Sequence, residues 1–154
     1  MKIVLAHKED CETVRKITRT TIESIYPGYY PAGAVRFFLE HHSDEHISAD
    51  ISDSRVYIIY EDREPVGTVT VSANNINRLF VLPEYQHRGY GKMLLDFAEK
   101  KILESYDCVQ IDASFPAKRI YLKRGYKEIE YNIIETDNGD CLCYDVMRLE
   151  KTDG

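Results

Sequence analysis

Leu79-Phe80-Val81-Leu82-Pro83-Glu84-Tyr85-Gln86-His87-Arg88-Gly89-Tyr90-Gly91-Lys92-Met93 decides the reading of this chain. A β-prone apolar run stops at a proline, two glycines follow, and behind them Leu94, Phe97, Ala98 and Ile102 recur at helical spacing. The segment predicts a strand, a tight glycine turn and a helix packed on a sheet. Such a turn leaves backbone N–H groups without partners at a helix N-terminus, where aligned peptide dipoles favour a phosphorylated ligand.

Two other glycine motifs fail on mechanism. A nucleotide-hydrolase loop needs GxxxxGK followed by Ser or Thr to hold magnesium, whereas Gly91-Lys92 is followed by Met93 and no glycine stands at 84–86. A dinucleotide fingerprint needs a third glycine where Leu94 stands.

Working outward, the N-terminal side predicts a short strand at 2–6 and a helix at about 10–25, with Val14, Ile17, Thr21, Ile22 and Ile25 along one side, ended by Pro27-Gly28. One or two short helices occupy 34–50. The period then changes to two: strands at 56–60 and 66–71 read as a hairpin, and 76–82 is the fourth strand, leading into the glycine turn. Beyond the glycine helix come a fifth strand at 108–112, a helix opened by Pro116 and ended by Gly125, and a last hairpin at 126–135 and 141–149. Asn138-Gly139 there favours a type I′ turn. The crossovers around the two late helices require parallel pairing, so the expected fold is α/β: a mixed sheet of six or seven mostly antiparallel strands with helices on both faces. The fourth and fifth strands are parallel and splay apart at their carboxyl ends, the usual ligand crevice of an open sheet.

The 154 residues suit one domain, 1–154, large enough to bury roughly 68–70 % of the surface its unfolded chain exposes. A formal charge of −6 argues against nucleic acid as the main partner, because phosphate binding normally shows as a basic face. It suits a cationic substrate. No apolar run reaches the 18 or so residues that span a bilayer, so neither a membrane nor export is expected and the reading is cytoplasmic. Cys11, Cys108, Cys141 and Cys143 lack CxxC spacing; free thiols and no metal are expected. The C-terminal hairpin leaves room for a homodimer.

Gln86-His87-Arg88-Gly89-Tyr90-Gly91 resembles the Gln/Arg-x-x-Gly-x-Gly/Ala signature of the GCN5-related N-acetyltransferase (GNAT) family, and Ile120-Tyr121-Leu122-Lys123-Arg124-Gly125-Tyr126 is similar to that family's Phe-Tyr-x-x-x-Gly-Phe. The resemblance implies acetyl-CoA as cofactor. Its pyrophosphate would lie on the backbone N–H groups of Gln86, His87, Arg88, Gly89, Tyr90, Gly91 and Lys92, the Arg88 and Lys92 side chains adding charge. His87 reads as a surface or phosphate contact. The pantetheine arm would run along Leu79, Phe80 and Val81 as an extra strand, with a donor near Val81 polarising the thioester carbonyl. Tyr121 takes the place of the family's acid, which protonates the departing sulfur. Ser114 stands where the family often has Asn, seven residues before that tyrosine; it could bond the pantetheine or serve as a helix-terminus residue.

The acceptor is a primary amine of a small molecule, such as a polyamine or aminoglycoside-like cation, or of a peptide. Tyr26, Tyr29 and Tyr30 in the loop after the first helix are candidates for one wall of its site, Tyr131 and Tyr144 for the other. Asp112, Glu135, Asp145, the His41-His42 pair and a water chain stay open as the base. Two alternatives also stay open: a noncatalytic acyl-CoA-binding module of the same fold, and an acyltransferase with another acyl donor or acceptor.

Overall fold

A computed structural model describes residues 2–152. The chain runs β1 (Lys2–Leu5), α1 (Cys11–Ile25), α2 (Ala32–His41), α3 (Asp44–Ser52), β2 (Val56–Glu61), β3 (Glu64–Ser72), β4 (Asn75–Val81), α4 (Tyr90–Leu103), β5 (Cys108–Ala113), α5 (Phe115–Lys123), β6 (Lys127–Glu135) and β7 (Cys141–Glu150). The strands form one seven-stranded sheet in the order β1-β2-β3-β4-β5-β7-β6. On α1 the predicted stripe is buried through Val14, Ile17, Thr21 and Ile22, with Thr18 added; Ile25 is only half-buried.

Period-two alternation in β4 distributes its side chains between two cores. Val81 joins Leu94, Ala98, Ile102 and Tyr121 on the α4/α5 face. Phe80 and Leu82 join Ile17, Ile22 and Tyr26 on the α1/α2 face. A third cluster, with Val14, Ile47, Ile51 and Ile58, seats α3 against β2.

β4 and β5 are parallel, and their pairing stops after Asn75↔Gln110 and Ile76↔Ile111. Both strands continue without each other, so the predicted splay is present. Its cause is local. Against β3, β4 pairs Phe80 with Thr68 and Asn77 with Thr70, three steps against two, which puts one extra residue into β4 beside Arg78. Arg78 has φ +50°, a left-handed value rare for any residue but glycine.

The last turn differs from the expected one. Of Asn138 and Gly139 only the glycine has positive φ, +84°; Gly139 N–H donates to Thr136 O at 3.0 Å and Thr136 N–H to Asp140 O at 2.7 Å. The loop therefore has three residues, a β-turn followed by a left-handed glycine. It docks on α2, where Gly33 N–H donates to Asp140 Oδ2 at 2.8 Å and a Cβ at Gly33 would overlap the Asn138 and Thr136 side chains. The extra residue shifts the β6/β7 register by one, pairing Tyr131 with Asp145 and Asn132 with Tyr144. Tyr131 and Tyr144 consequently point to opposite faces, and the two do not share a wall.

Candidate functional site

Between β4 and α4 the chain makes a short 3₁₀ turn, Pro83–Tyr85, and then passes through His87 at φ +63° and Gly89 at φ +92°. Met93 N–H donates to Gly89 O at 3.0 Å as α4 begins. Among the described residues no protein acceptor takes the backbone N–H of His87, Arg88, Gly89, Tyr90, Gly91 or Lys92. Six consecutive free donors at a helix N-terminus form an anion cradle. Gln86 does not belong to it: its N–H donates to Pro83 O at 3.3 Å, and its side-chain Nε2 donates to Val81 O at 2.9 Å. Gln86 instead ties the loop to the end of β4.

A Cβ at Gly89 would meet nothing within 4 Å, so glycine is required there by its φ. Arg88 lies over the Tyr85 ring, 5.2 Å from its centroid. Lys92 reaches Asp96 at 2.8 Å on the exposed face of α4, and the Tyr90 hydroxyl donates to Glu61. The side chains that flank the cradle are thus already engaged, while its backbone donors are free.

The splay opens into a cavity of about 170 Å³ lined on the β4 side by residues 76–80, ahead of the loop that carries the cradle. Ile111 and Tyr121 line it from one core, Tyr26, Phe38, Phe80 and Leu142 from the other, so it passes through the sheet at the gap. Leu79 and Ser114 also line it. Leu82 N–H donates to Val66 O at 2.9 Å. Strand alternation therefore turns Val81 N–H and C=O the other way, toward the gap, where Gln86 and Thr21 take the carbonyl at 2.9 and 3.3 Å.

Tyr121 is 5 % exposed. Its hydroxyl has no hydrogen-bond partner among the described residues, and burial pushes its pKa well above that of a free phenol. It is a protonated donor facing a cavity. Of the other tyrosines, Tyr26 lines the cavity; burial raises its phenol pKa, partly offset by the neighbouring Ser114 hydroxyl. Ser114 follows β5 and opens α5 through its backbone carbonyl, which accepts from Ala117 and Lys118 N–H, while its side chain faces the cavity beside Tyr26. The phenol oxygen of Tyr30 accepts the Phe115 N–H at 2.7 Å, its ring stacks on Phe115 at 5.0 Å, and burial pushes its pKa up to about 12. Tyr30 braces the start of α5 outside the cavity. Tyr29 is 54 % exposed and Tyr131 57 % exposed, both away from the cavity, whereas Tyr144 lines it.

Of the groups kept open as bases, His41, His42 and Asp112 line the cavity. Asp145 is buried in an ion pair with Lys118 at 2.9 Å, and Glu135 lies near Gly33 and Arg36 under α2, outside the cavity. Asp112 is solvent-reachable and has no ion-pair partner among the described residues; partial burial raises its pKa, with His41 opposing that shift and the Glu130 carboxylate adding to it. Burial and the neighbouring His46 and Arg78 lower the pKa of His41.

Sequence reading missed Arg78. Its buried guanidinium donates to Asp50 Oδ2 at 2.9 Å, Thr70 Oγ1 at 3.0 Å and His42 Nδ1 at 3.3 Å. The available sign was a cation in the middle of a strand that ends in Leu79-Phe80-Val81; its partners lie 28, 8 and 36 residues away. Burial, then Arg78, lowers the His42 pKa to about 3.

A histidine ordinarily titrates near 6.5, so the folded state binds fewer protons than the unfolded state between pH 6.5 and 3. The neutral-His42 contribution is complete above pH 6.5 and is lost as pH falls toward 3. At pH 5 the cost is about 2 kcal/mol, or roughly 4–8 °C in Tm. We expect His42→Gln, which keeps an acceptor for Arg78, to flatten the Tm profile between pH 7 and 5 by that amount. A wild-type slope retained in the variant would place the sensitivity elsewhere.

Residues 25–139 match the model of the acetyltransferase (GNAT) domain. An uncharacterized N-acetyltransferase of Escherichia coli, YafP, is 28 % identical over 107 residues, covering 62 % of this chain and 69 % of that one. The crystal structure of a GCN5-related N-acetyltransferase from Rhodopseudomonas palustris superposes with a TM-score of 0.87 at 23 % identity, over 97 % of this chain and 94 % of that one. The PaiA N-acetyltransferase of Thermoplasma acidophilum, solved in complex with coenzyme A, gives 0.72 at 24 % identity over 97 % and 98 %. The two structures share the fold, and the domain match extends over most of the sheet and both candidate motifs: this chain belongs to the GNAT acetyltransferase family.

Proposed function

We propose that the protein transfers an acetyl group from acetyl-CoA directly to a primary amine of a small molecule or peptide. The observation that carries this reading is the cradle of six free N–H groups, His87 to Lys92, next to a gap lined by a partnerless, protonated Tyr121. Acetyl-CoA would supply the activated acyl group as a thioester. The cradle fits a pyrophosphate by donor count and dipole, with Arg88 and Lys92 at its rim. Leu79, Phe80 and Val81 present the strand edge along which the pantetheine arm would lie, and the Val81 N–H faces the gap as an oxyanion donor.

Tyr121 gives its proton to the departing sulfur, and its raised pKa keeps that proton available at neutral pH. His41, whose lowered pKa leaves it neutral at pH 7, and Asp112 are within the same cavity to accept the proton of the incoming ammonium. His42, at about 3, is too weak a base for that work and holds Arg78 instead. The family placement and the coenzyme A complex of the fold neighbour support the donor.

Native mass spectrometry after incubation with CoA, followed by thiol release from acetyl-CoA across an amine panel, tests the proposal. CoA binding and thiol release with at least one primary amine are expected; CoA binding with no release on any amine would leave a noncatalytic binding module. Gly89→Ala probes the cradle separately. A Cβ at φ +92° costs about 1–2 kcal/mol, so the loop relaxes, and CoA binding measured by calorimetry should weaken roughly tenfold. An unchanged Kd would remove the cradle from the binding site.

A further inference from the structure

We infer that the acceptor is a monocation, a primary amine carried on a compact apolar or aryl body, with its ammonium received by Asp112 at the cavity mouth. The inference rests on the acetyl-transfer reading and concerns the acceptor half of the same cavity.

The α1/α2 side of that cavity is walled by rings: Tyr26, Phe37, Phe38, Phe80 and Tyr144. Aliphatic Ile134 and Leu142 fill the spaces between them. The whole cavity measures about 170 Å³ and must also hold the thioester end of the pantetheine arm, so only a compact body fits beside it. Apolar walls reward an apolar body and penalise hydroxyl or amide groups that find no partner there. Ring faces also hold a single cation well.

The charge pattern sets the number of amines. Asp112 carries the one carboxylate of the described lining, and among the described residues it has no ion-pair or hydrogen-bond partner; Glu130 is near enough to raise its pKa but does not line the cavity. The lining also holds Arg78, whose buried charge Asp50 already compensates, with His42 bonded to it and His41 beside His42. A second or third ammonium of a polyamine would find no further carboxylate in the lining and would lose its hydration against the rings. A polyhydroxylated aminocyclitol would lose the hydration of its hydroxyls against phenyl rings. A peptide would place backbone amides there. One amine on an apolar body satisfies every wall.

The test is thiol release from acetyl-CoA with four probes: phenethylamine, spermidine, kanamycin and a tetrapeptide with a free N-terminus. Phenethylamine is expected to give a kcat/KM at least tenfold above each of the others. Asp112→Asn, an isosteric change at a solvent-reachable position, should raise the KM for phenethylamine at least tenfold and leave the KM for acetyl-CoA unchanged, with the melting temperature checking the fold. Preference for spermidine, kanamycin or the tetrapeptide overturns the inference and leaves acetyl transfer standing, as does an unaltered amine KM in the Asp112→Asn variant. No release from any probe overturns the inference, and the native mass measurement for CoA then shows whether the donor half of the reading has failed with it.

Discussion

Replacing Tyr121 by Phe lowers turnover by tenfold or more, toward the 10²-fold range typical of a lost general acid, while CoA affinity and melting temperature stay the same. The substitution is unusually clean here. The ring is held by packing in the α4/α5 core and lies 5.5 Å from the Tyr126 ring. Tyr126 is itself fixed by its hydroxyl bond to Glu99 Oε1 at 2.8 Å, and Arg124 donates to both oxygens of the same Glu99. Phe keeps all of this packing. The hydroxyl removed has no protein partner to leave unsatisfied, so the folded state loses nothing comparable to a broken buried hydrogen bond. What disappears is one proton donor facing the gap. Because burial raises the Tyr121 pKa, its proton is retained through the neutral and mildly alkaline range, and the wild-type kcat profile should show no descending limb from this group below about pH 10. Steady-state thiol release, paired with calorimetry for CoA, separates the outcomes: a fall in kcat at constant Kd assigns the acid, and an unchanged kcat leaves Tyr121 as a wall of the cavity.

The readable parts of this chain were those governed by neighbours in sequence. The glycine turn declares itself because Gly89 needs a left-handed φ that only local chemistry dictates, and α4 because its apolar stripe repeats within one helix. The splay followed from strand order. Residues whose meaning depends on register or on distant partners were harder. A loop one residue longer than the Asn138-Gly139 dipeptide suggested turned Tyr131 away from Tyr144, since a single step of register exchanges the faces of a strand. Tyr26, Tyr29 and Tyr30 look alike in sequence, yet one lines the cavity, one faces water and one braces a helix 85 residues on. Gln86 sits inside the signature but spends both its backbone and its side chain on structure. Arg78 is visible as a cation in mid-strand, and nothing local names Asp50, Thr70 and His42 as its partners.

That network yields the largest expected change in stability. Asp50→Asn should destabilise the protein by about 3–5 kcal/mol, because it leaves the Arg78 guanidinium, 4 % exposed, without its countercharge. Arg78 cannot escape by losing its proton, even though burial lowers its pKa, and Asn offers a dipole where a carboxylate stood at 2.9 Å. Against a typical total of 5–15 kcal/mol the loss is large, and on the order of 10 °C in Tm. Arg78→Met should cost less. It removes the buried charge together with its need for a partner, and it frees Asp50, which retains Arg55 at 3.7 Å and access to solvent. The double variant should therefore be more stable than Asp50→Asn alone, the sign expected when the penalty belongs to an uncompensated charge rather than to a lost contact. Urea denaturation of the two single variants and the double variant measures the coupling. A double variant no more stable than Asp50→Asn would show that the carboxylate holds α3 in place by some route other than Arg78. The bulge gives the comparison a further reading. A methionine side chain at position 78 must still adopt φ +50°, now without the three hydrogen bonds that offset its strain. If the guanidinium is what keeps β4 bent away from β5, Arg78→Met should close the gap and weaken CoA binding even where its stability exceeds that of Asp50→Asn.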